Sequence, residues 1–323
     1  MARAPGPTRH VGLDLGVTNL KWAVLERDAD ASWRVLDEGQ LPTEANRGAR
    51  AVVELMARTV QQRLADWPGV VSCGVGVPGL YDPAEGSTRD IINMPEPAQW
   101  AGLPVAGPMY AQTGLPTFLV NDARAFGLAE LRLGAGRGAR SMVGLTLGTG
   151  IGGVIAIGGS VLQGHDGTAG EAGHQTLDPD GPSCNCGNNG CLEAFARADR
   201  LAEACATTTP EEAFERARAG NQRARDGLAR VGRYLGIGVA NLITLITPDI
   251  VVLGGGVSAA GDLLFGPMRQ EIARRVHVTA LDQVKIRTAE LGTRAGAIGA
   301  AVHGAERAAE DRAAADLAAG GGA

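Results

Sequence analysis

The 323-residue chain reads as an α/β protein of two domains. Three observations carry that reading. Short apolar runs of strand character alternate with segments of helical period along most of the length. A strand–turn–strand unit with glycine and threonine at its tip occurs near residue 11 and is echoed from Ser141. A composition of 45% hydrophobic residues with a net charge of −5 is enough to bury a core of that size.

Val11 to Leu25 gives the first unit, with VGLDLG as strand, VTN as turn and LKWAVLE as strand. Ala49 to Trp67 carries apolar residues at Val52, Val53, Leu55, Met56, Val60 and Leu64, the period of a helix, which Trp67-Pro68-Gly69 ends. VVSCGVGVPG is a strand running into a glycine turn. TFLVND is a short buried strand ending on two polar residues, and ARAFGLAELRLGA continues from Asn121-Asp122 as a helix. SMVGLTLGTGIGGVIAIGG is the second hairpin. A cysteine-rich loop and a mostly helical region follow, then the buried strand DIVVLGGGV and a further strand in DQVKIRTAEL. From roughly Ala305 the chain is rich in Ala, Glu and Arg and is expected to be a frayed or flexible tail, 305–323. Two similar halves imply a ligand in a cleft between them.

Composition excludes several function classes. Glycine, at 48 residues, is roughly twice its usual share of ~7%. The only lysines are Lys21, after Leu20, and Lys285, after Val284, so the Gly-Lys-Ser/Thr step of a P-loop is missing. A pI near 5.6 suits a polyanion partner poorly. The arginines between Arg216 and Arg233 are interrupted by Asp226 and apolar residues and read as a solvated helix face, so no nucleic acid is expected. MARAPGPTRH lacks the apolar core of a signal peptide. Tyr234 to Val257 is broken by Asn241, Pro248 and Asp249 and reads as helix, turn and buried strand rather than a membrane span. The expectation is a soluble, cytoplasmic protein with no membrane partner.

GVGVPG (74–79) and GTGIGG (148–153) both match the dinucleotide fingerprint G-x-G-x-x-G. That fingerprint works only when a helix follows and turns its N-terminus to the pyrophosphate. Here LYDP and VIAIGG follow, a turn and a strand, so neither qualifies. Their N–H groups can still cradle phosphate from a hairpin tip.

Five cysteines without a secretion signal argue against a disulfide framework. Cys73 and Cys205 fall on core-like patterns. His174, Cys184, Cys186 and Cys191 offer one imidazole and three thiolates, a filled tetrahedral shell for structural Zn²⁺ with no open position. Gly187 and Gly190 let the short loop close around an ion. Glu171, His174 and Glu193 lie about this cluster, and Glu171 and His174 share a face if their segment turns helically. Carboxylates and an imidazole so arranged suit a polyhydroxylated ligand.

LDLGVTNLK, GVGVPG, VNDARAFGLAE, LTLGTGIGG, GTAGEAGH, CNCGNNGCLEAF and DIVVLGGGVS together resemble the ROK family (repressors, open reading frames, kinases), and within it the bacterial ATP-dependent glucokinase branch. The GEAGH…CNCGNNGCLE combination is its most specific part. The resemblance implies a two-domain actin-like ATPase fold (sugar kinase/heat-shock ATPase/actin) with a small domain at 9–121 and a large one at 122–304. The last helix is free to pack back on the small domain. It also implies ATP and Mg²⁺ as reaction partners, a homodimer or homotetramer, and transfer of the γ-phosphoryl group to the 6-hydroxyl of a hexose, glucose first. Carried over by position, Asp14, Gly16 and Thr18, with Asn19 and Lys21, belong to the first phosphate loop. Gly148, Thr149 and Gly150 belong to the second, and Gly254, Gly255 and Gly256 approach the adenosine. Asn93, Asn121, Asp122, Glu171, His174 and Glu193 hold the sugar, with Asp122 the general base; a helix N-cap is the plain alternative for Asn121 or Asp122. Val17 stands where the family's loop usually has a second glycine, so φ is expected to stay negative there. Kinases of N-acetylmannosamine, N-acetylglucosamine or fructose, and a non-catalytic sugar-sensing regulator, remain alternatives. A regulator is disfavoured because the family's repressors carry an N-terminal helix-turn-helix module, and a first strand starting near residue 11 is expected to leave no room for one.

Overall fold

The computed structural model describes residues 6–91 and 94–320. The chain divides into two compact units, Met1–Leu133 with Thr293–Ala323, and Gly134–Gly292.

In the first unit, β1 (Thr8–Leu15), β2 (Asn19–Arg27) and β3 (Trp33–Pro42) form an antiparallel meander. Helix α1 (Ala49–Asp66) follows and buries Val52, Val53, Met56 and Val60, the stripe its period requires. Next come β4 (Val70–Val77), a small hairpin of β5 (Gly79–Asp82) and β6 (Ser87–Ile91), α2 (Ala106–Thr113), β7 (Thr117–Asn121) and α3 (Asp122–Arg132). The main sheet runs β3-β2-β1-β4-β7, with β4 and β7 parallel to β1. GVGVPG thus ends one strand and enters another, with no helix behind it.

The second unit repeats this plan. β8 (Ser141–Leu147), β9 (Ile151–Ile157) and the short β10 (Ser160–Val161) form the antiparallel part. Four helices follow: α4 (Leu192–Ala196), α5 (Ala198–Cys205), α6 (Pro210–Arg218) and the long α7 (Gln222–Ile246). β11 (Ile250–Gly254), α8 (Asp262–Arg275) and β12 (Lys285–Thr288) complete the unit. The sheet runs β10-β9-β8-β11-β12, again with two parallel strands beside an antiparallel meander. The segment 234–257 is the end of α7, a turn and β11, as its interruptions imply. Among the described residues no helix is long and apolar enough to cross a membrane.

The last helix, α9 (Ala295–Gly320), returns to the first unit and packs on β1, β4 and α3. It does so at very short range. A Cβ on Gly12 would lie 2.0 Å from the Ala297 carbonyl oxygen, and one on Gly74 would lie 1.8 Å from that of Ala300. Glycine on the strands and alanine on the helix therefore let backbone meet backbone. This corrects two sequence expectations. The first unit ends at Leu133 rather than 121, because α3 packs against α9 and so stays with it. The segment from Ala305 is helical through Gly320: Ala305 and Ala308 are buried, and Arg132 on α3 reaches Glu306 at 2.7 Å. Alanine is the strongest helix former, and a composition that resembles a tail also describes a helix with a small-residue docking face.

Candidate functional site

Within the first unit the site residues gather at one edge of the sheet. Asp14, Gly76 and Val120 stand in register across the parallel strands β1, β4 and β7. The β1–β2 tip and Asn121-Asp122 thus follow the carboxyl ends of neighbouring parallel strands, where open α/β sheets receive ligands. The tip, Gly16-Val17-Thr18, is tight: the Gly16 N–H donates to the Asn19 carbonyl at 3.1 Å. Thr43 braces it from β3's far end, its hydroxyl on the Gly16 carbonyl at 2.7 Å and its N–H on that of Thr18 at 3.0 Å. Val17 keeps a negative φ, so the missing glycine costs no strain, and its side chain and that of Thr18 are exposed.

Asp14 faces Lys21 directly across the hairpin, with Lys21 Nζ 3.4 Å from Oδ2. Burial pushes its carboxyl above the usual aspartate range, and the Lys21 charge pulls the other way. Gly296, on the first turn of α9, lies against this carboxylate: a Cβ there would stand 2.5 Å from Asp14 Cγ. Neither Thr43 nor Gly296 is signalled by a local motif. Both act across long sequence separations, and only the small-residue run AGAIGAA hints at close packing.

Asn121 and Asp122 divide two tasks. Asn121 is the N-cap of α3, its Oδ1 accepting the N–H groups of Ala123 at 3.0 Å and Arg124 at 3.2 Å. Its Nδ2 donates to the Gly79 carbonyl at 3.2 Å. Asp122 is exposed at the first helical position, with Oδ1 2.8 Å from the Ala123 nitrogen. Asn93 lies outside the described residues.

In the second unit, Gly148-Thr149-Gly150 forms the β8–β9 tip, and Gly254 ends the parallel neighbour β11 with Gly255-Gly256 following it. The two turns are packed together. Gly255 has φ +87°, and a Cβ on it would stand 2.3 Å from the Leu147 carbonyl oxygen at the root of the tip.

The GEAGH segment is a short 3-10 turn, Ala172–His174, with Glu171 as its N-cap residue. The His174 N–H closes the turn on the Glu171 carbonyl at 3.0 Å, while Glu171 itself, with φ −66° and ψ 56°, stands outside the 3-10 geometry. Gly173 presses on β9, where a Cβ would lie 2.0 Å from the Ile151 carbonyl oxygen. Gly187 and Gly190 both take positive φ, +92° and +67°, and fold the cysteine loop back under this turn.

The ligand atoms of His174, Cys184, Cys186 and Cys191 all lie within 4.8 Å of one another. Cys184 Sγ is 3.6 Å from His174 Nδ1, and Cys186 Sγ is 3.7 Å from Cys191 Sγ. A tetrahedron built on Zn–S and Zn–N bonds has edges of roughly 3.8 Å between sulfurs and roughly 3.6 Å from sulfur to nitrogen. The donors therefore fit zinc in chemistry and in spacing. Burial pushes the Cys184 thiol up to about 12 and that of Cys191 upward, so a bound cation is what would make them thiolates. Glu193, in the first turn of α4, places Oε2 2.8 Å from the Ile151 nitrogen and Oε1 3.8 Å from Cys184 Sγ.

The profile of the ROK family matches residues 10–306. The chain belongs to the ROK family. The glucokinase of Thermotoga maritima is 34% identical over 310 residues, covering 90% of this chain and 95% of that one. The xylose repressor of Caldicellulosiruptor bescii is 26% identical over 307 residues, or 90% of this chain and 76% of the repressor. Among solved structures, the ROK hexokinase of Thermus thermophilus superposes with a TM-score of 0.82 at 36% identity, covering 94% of this chain and all of that one. The ROK glucokinase of Streptomyces griseus, solved with glucose and AMPPNP, gives 0.74 at 29% identity, over 93% of this chain and 100% of that one. The fold is thus that of the ROK sugar kinases.

Proposed function

We propose that this ROK protein is an ATP-dependent hexose kinase, with glucose as first substrate and its 6-hydroxyl as acceptor. The observation that carries the reading is the exposed carboxylate of Asp122 at the carboxyl edge of the first sheet, next to Asn121, which caps α3. The likeness to glucokinases over nine-tenths of the chain and to a neighbour holding glucose and an ATP analogue supports it.

In this reading the two hairpin tips receive the phosphates, and Gly254 to Gly256 the adenosine. Phosphoryl transfer has a loose transition state, so the protein's work is positioning and charge neutralisation. Asp122 accepts the proton of the 6-hydroxyl as that oxygen attacks the γ-phosphorus, and ADP leaves. Asn121, Glu171, His174 and Glu193 hold the remaining hydroxyls. Mg²⁺, when bound, neutralises charge on the phosphate oxygens; Asp14, pinned between Lys21 and Gly296, is its anchor. Zinc contributes shape alone, since four protein ligands leave it no open position.

A coupled assay of ADP release over a panel of glucose, mannose, fructose, N-acetylglucosamine and N-acetylmannosamine tests the reading. Turnover is expected with glucose and Mg-ATP. Turnover confined to an N-acetylhexosamine would move the substrate, and silence on every sugar would favour a sugar-sensing regulator.

A further inference from the structure

Glu193 stands in the sugar-binding set implied by the family resemblance, but its carboxylate has visible partners elsewhere. It follows the metal-ligand position Cys191 by two residues, in the first turn of α4. Its Oε2 accepts the N–H of Ile151, where the β8–β9 tip re-enters the sheet, at 2.8 Å. A Cβ on Gly150 would stand 2.7 Å from that same oxygen, and among the described residues, Thr149 and Ile151 apart, no side chain but Glu193 comes within 4 Å of that Cβ. A second hold on the tip comes from the start of α5, where the Ala198 N–H donates to the Gly148 carbonyl at 2.8 Å. The stretch from Cys191 to Ala198 thus carries a cysteine of the cluster at one end and grips the glycine tip at two points.

A glycine-rich tip is soft, and its N–H groups serve a phosphate only if they already point one way. A charge-assisted hydrogen bond on one of them orders its neighbours. We infer that Glu193 is a positioning residue for the nucleotide loop, through which the His174/Cys184/Cys186/Cys191 cluster sets the geometry of Gly148–Ile151. The inference rests on reading that tip as a phosphate loop. A side chain at Gly150 would displace the Glu193 carboxylate rather than strain the backbone, since Gly150 does not take a positive φ.

The test is calorimetric titration of the metal-loaded full chain with Mg²⁺ and a non-hydrolysable ATP analogue, without sugar, and with glucose separately. Glu193→Ala should weaken the analogue by about tenfold or more, the scale of one charge-assisted hydrogen bond. Glu193→Gln keeps an oxygen for the Ile151 N–H and should recover to within about threefold. Gly150→Ala should weaken the analogue in the parent protein and add little in the Glu193→Ala background, a non-additive cycle. Chelating the metal should likewise weaken the analogue in the parent and do little more in Glu193→Ala. Additive effects at 150 and 193 overturn the inference. So does a Glu193→Ala protein that loses glucose affinity alone. Failure of the parent protein to bind the analogue would instead remove the phosphate-loop reading itself.

Discussion

At Asn121 and Asp122, adjacent side chains that a sequence treats as interchangeable capping residues take separate roles. Asn121 accepts two backbone N–H groups of α3 and is buried, whereas Asp122 keeps an exposed carboxylate. Asn at an N-cap is worth ~1 kcal/mol, so Asn121 secures the helix whether or not Asp122 is charged. Asp122→Asn should therefore lower kcat by at least about a hundredfold, the usual scale of general-base loss. Glucose affinity and the melting midpoint should stay close to the parent values. A kcat near the parent's would end the base assignment. The capping alternative was visible in the Asx pair itself; its resolution was not, because which side chain turns inward depends on the Gly79 carbonyl, 42 positions away.

Elements were legible where a single period governed them. The two hairpins, α1, and the helix–turn–strand passage of α7 and β11 formed as their patterns require. The end of the chain was not legible. Its alanines encode both a tail and a docking helix, and the choice is made by Gly12 and Gly74, which clear a path for α9. That packing also buries two histidines, His10 on β1 at 1% exposure and His303 on α9 at 8%. Burial holds each imidazole neutral, with pKa lowered from 6.5 to about 4, and nearby arginines add to the effect: Arg312 and Arg27 about His10, Arg307 beside His303. The unfolded chain takes up protons near 6.5 that the folded one refuses, so stability is full above that pH and declines toward 4. Between pH 7 and 5 the loss should be about 2 kcal/mol per histidine. Urea unfolding at the two pH values measures it, and an unchanged midpoint would show that neither histidine is held neutral by the fold.

For the molecule as a whole, two units with one strand order and a four-ligand loop predict a protein whose metal is structural. Purified protein should carry about one zinc per chain, retained through dilution and removed only by strong chelation. Chelation should lower the melting midpoint as well as activity. Metal-free protein with the parent's melting midpoint would refute the cluster. The sequence by itself determined this loop, because one histidine and three cysteines at that spacing have few other uses, and it determined the repeated hairpin, whose period is local. Tertiary structure alone decided where the units divide, that the last helix returns to back Asp14 through Gly296, and that Glu193 reaches the Ile151 N–H. Those outcomes rest on close approaches between distant segments, and clearance of that kind is a property of packed backbones that no local pattern encodes.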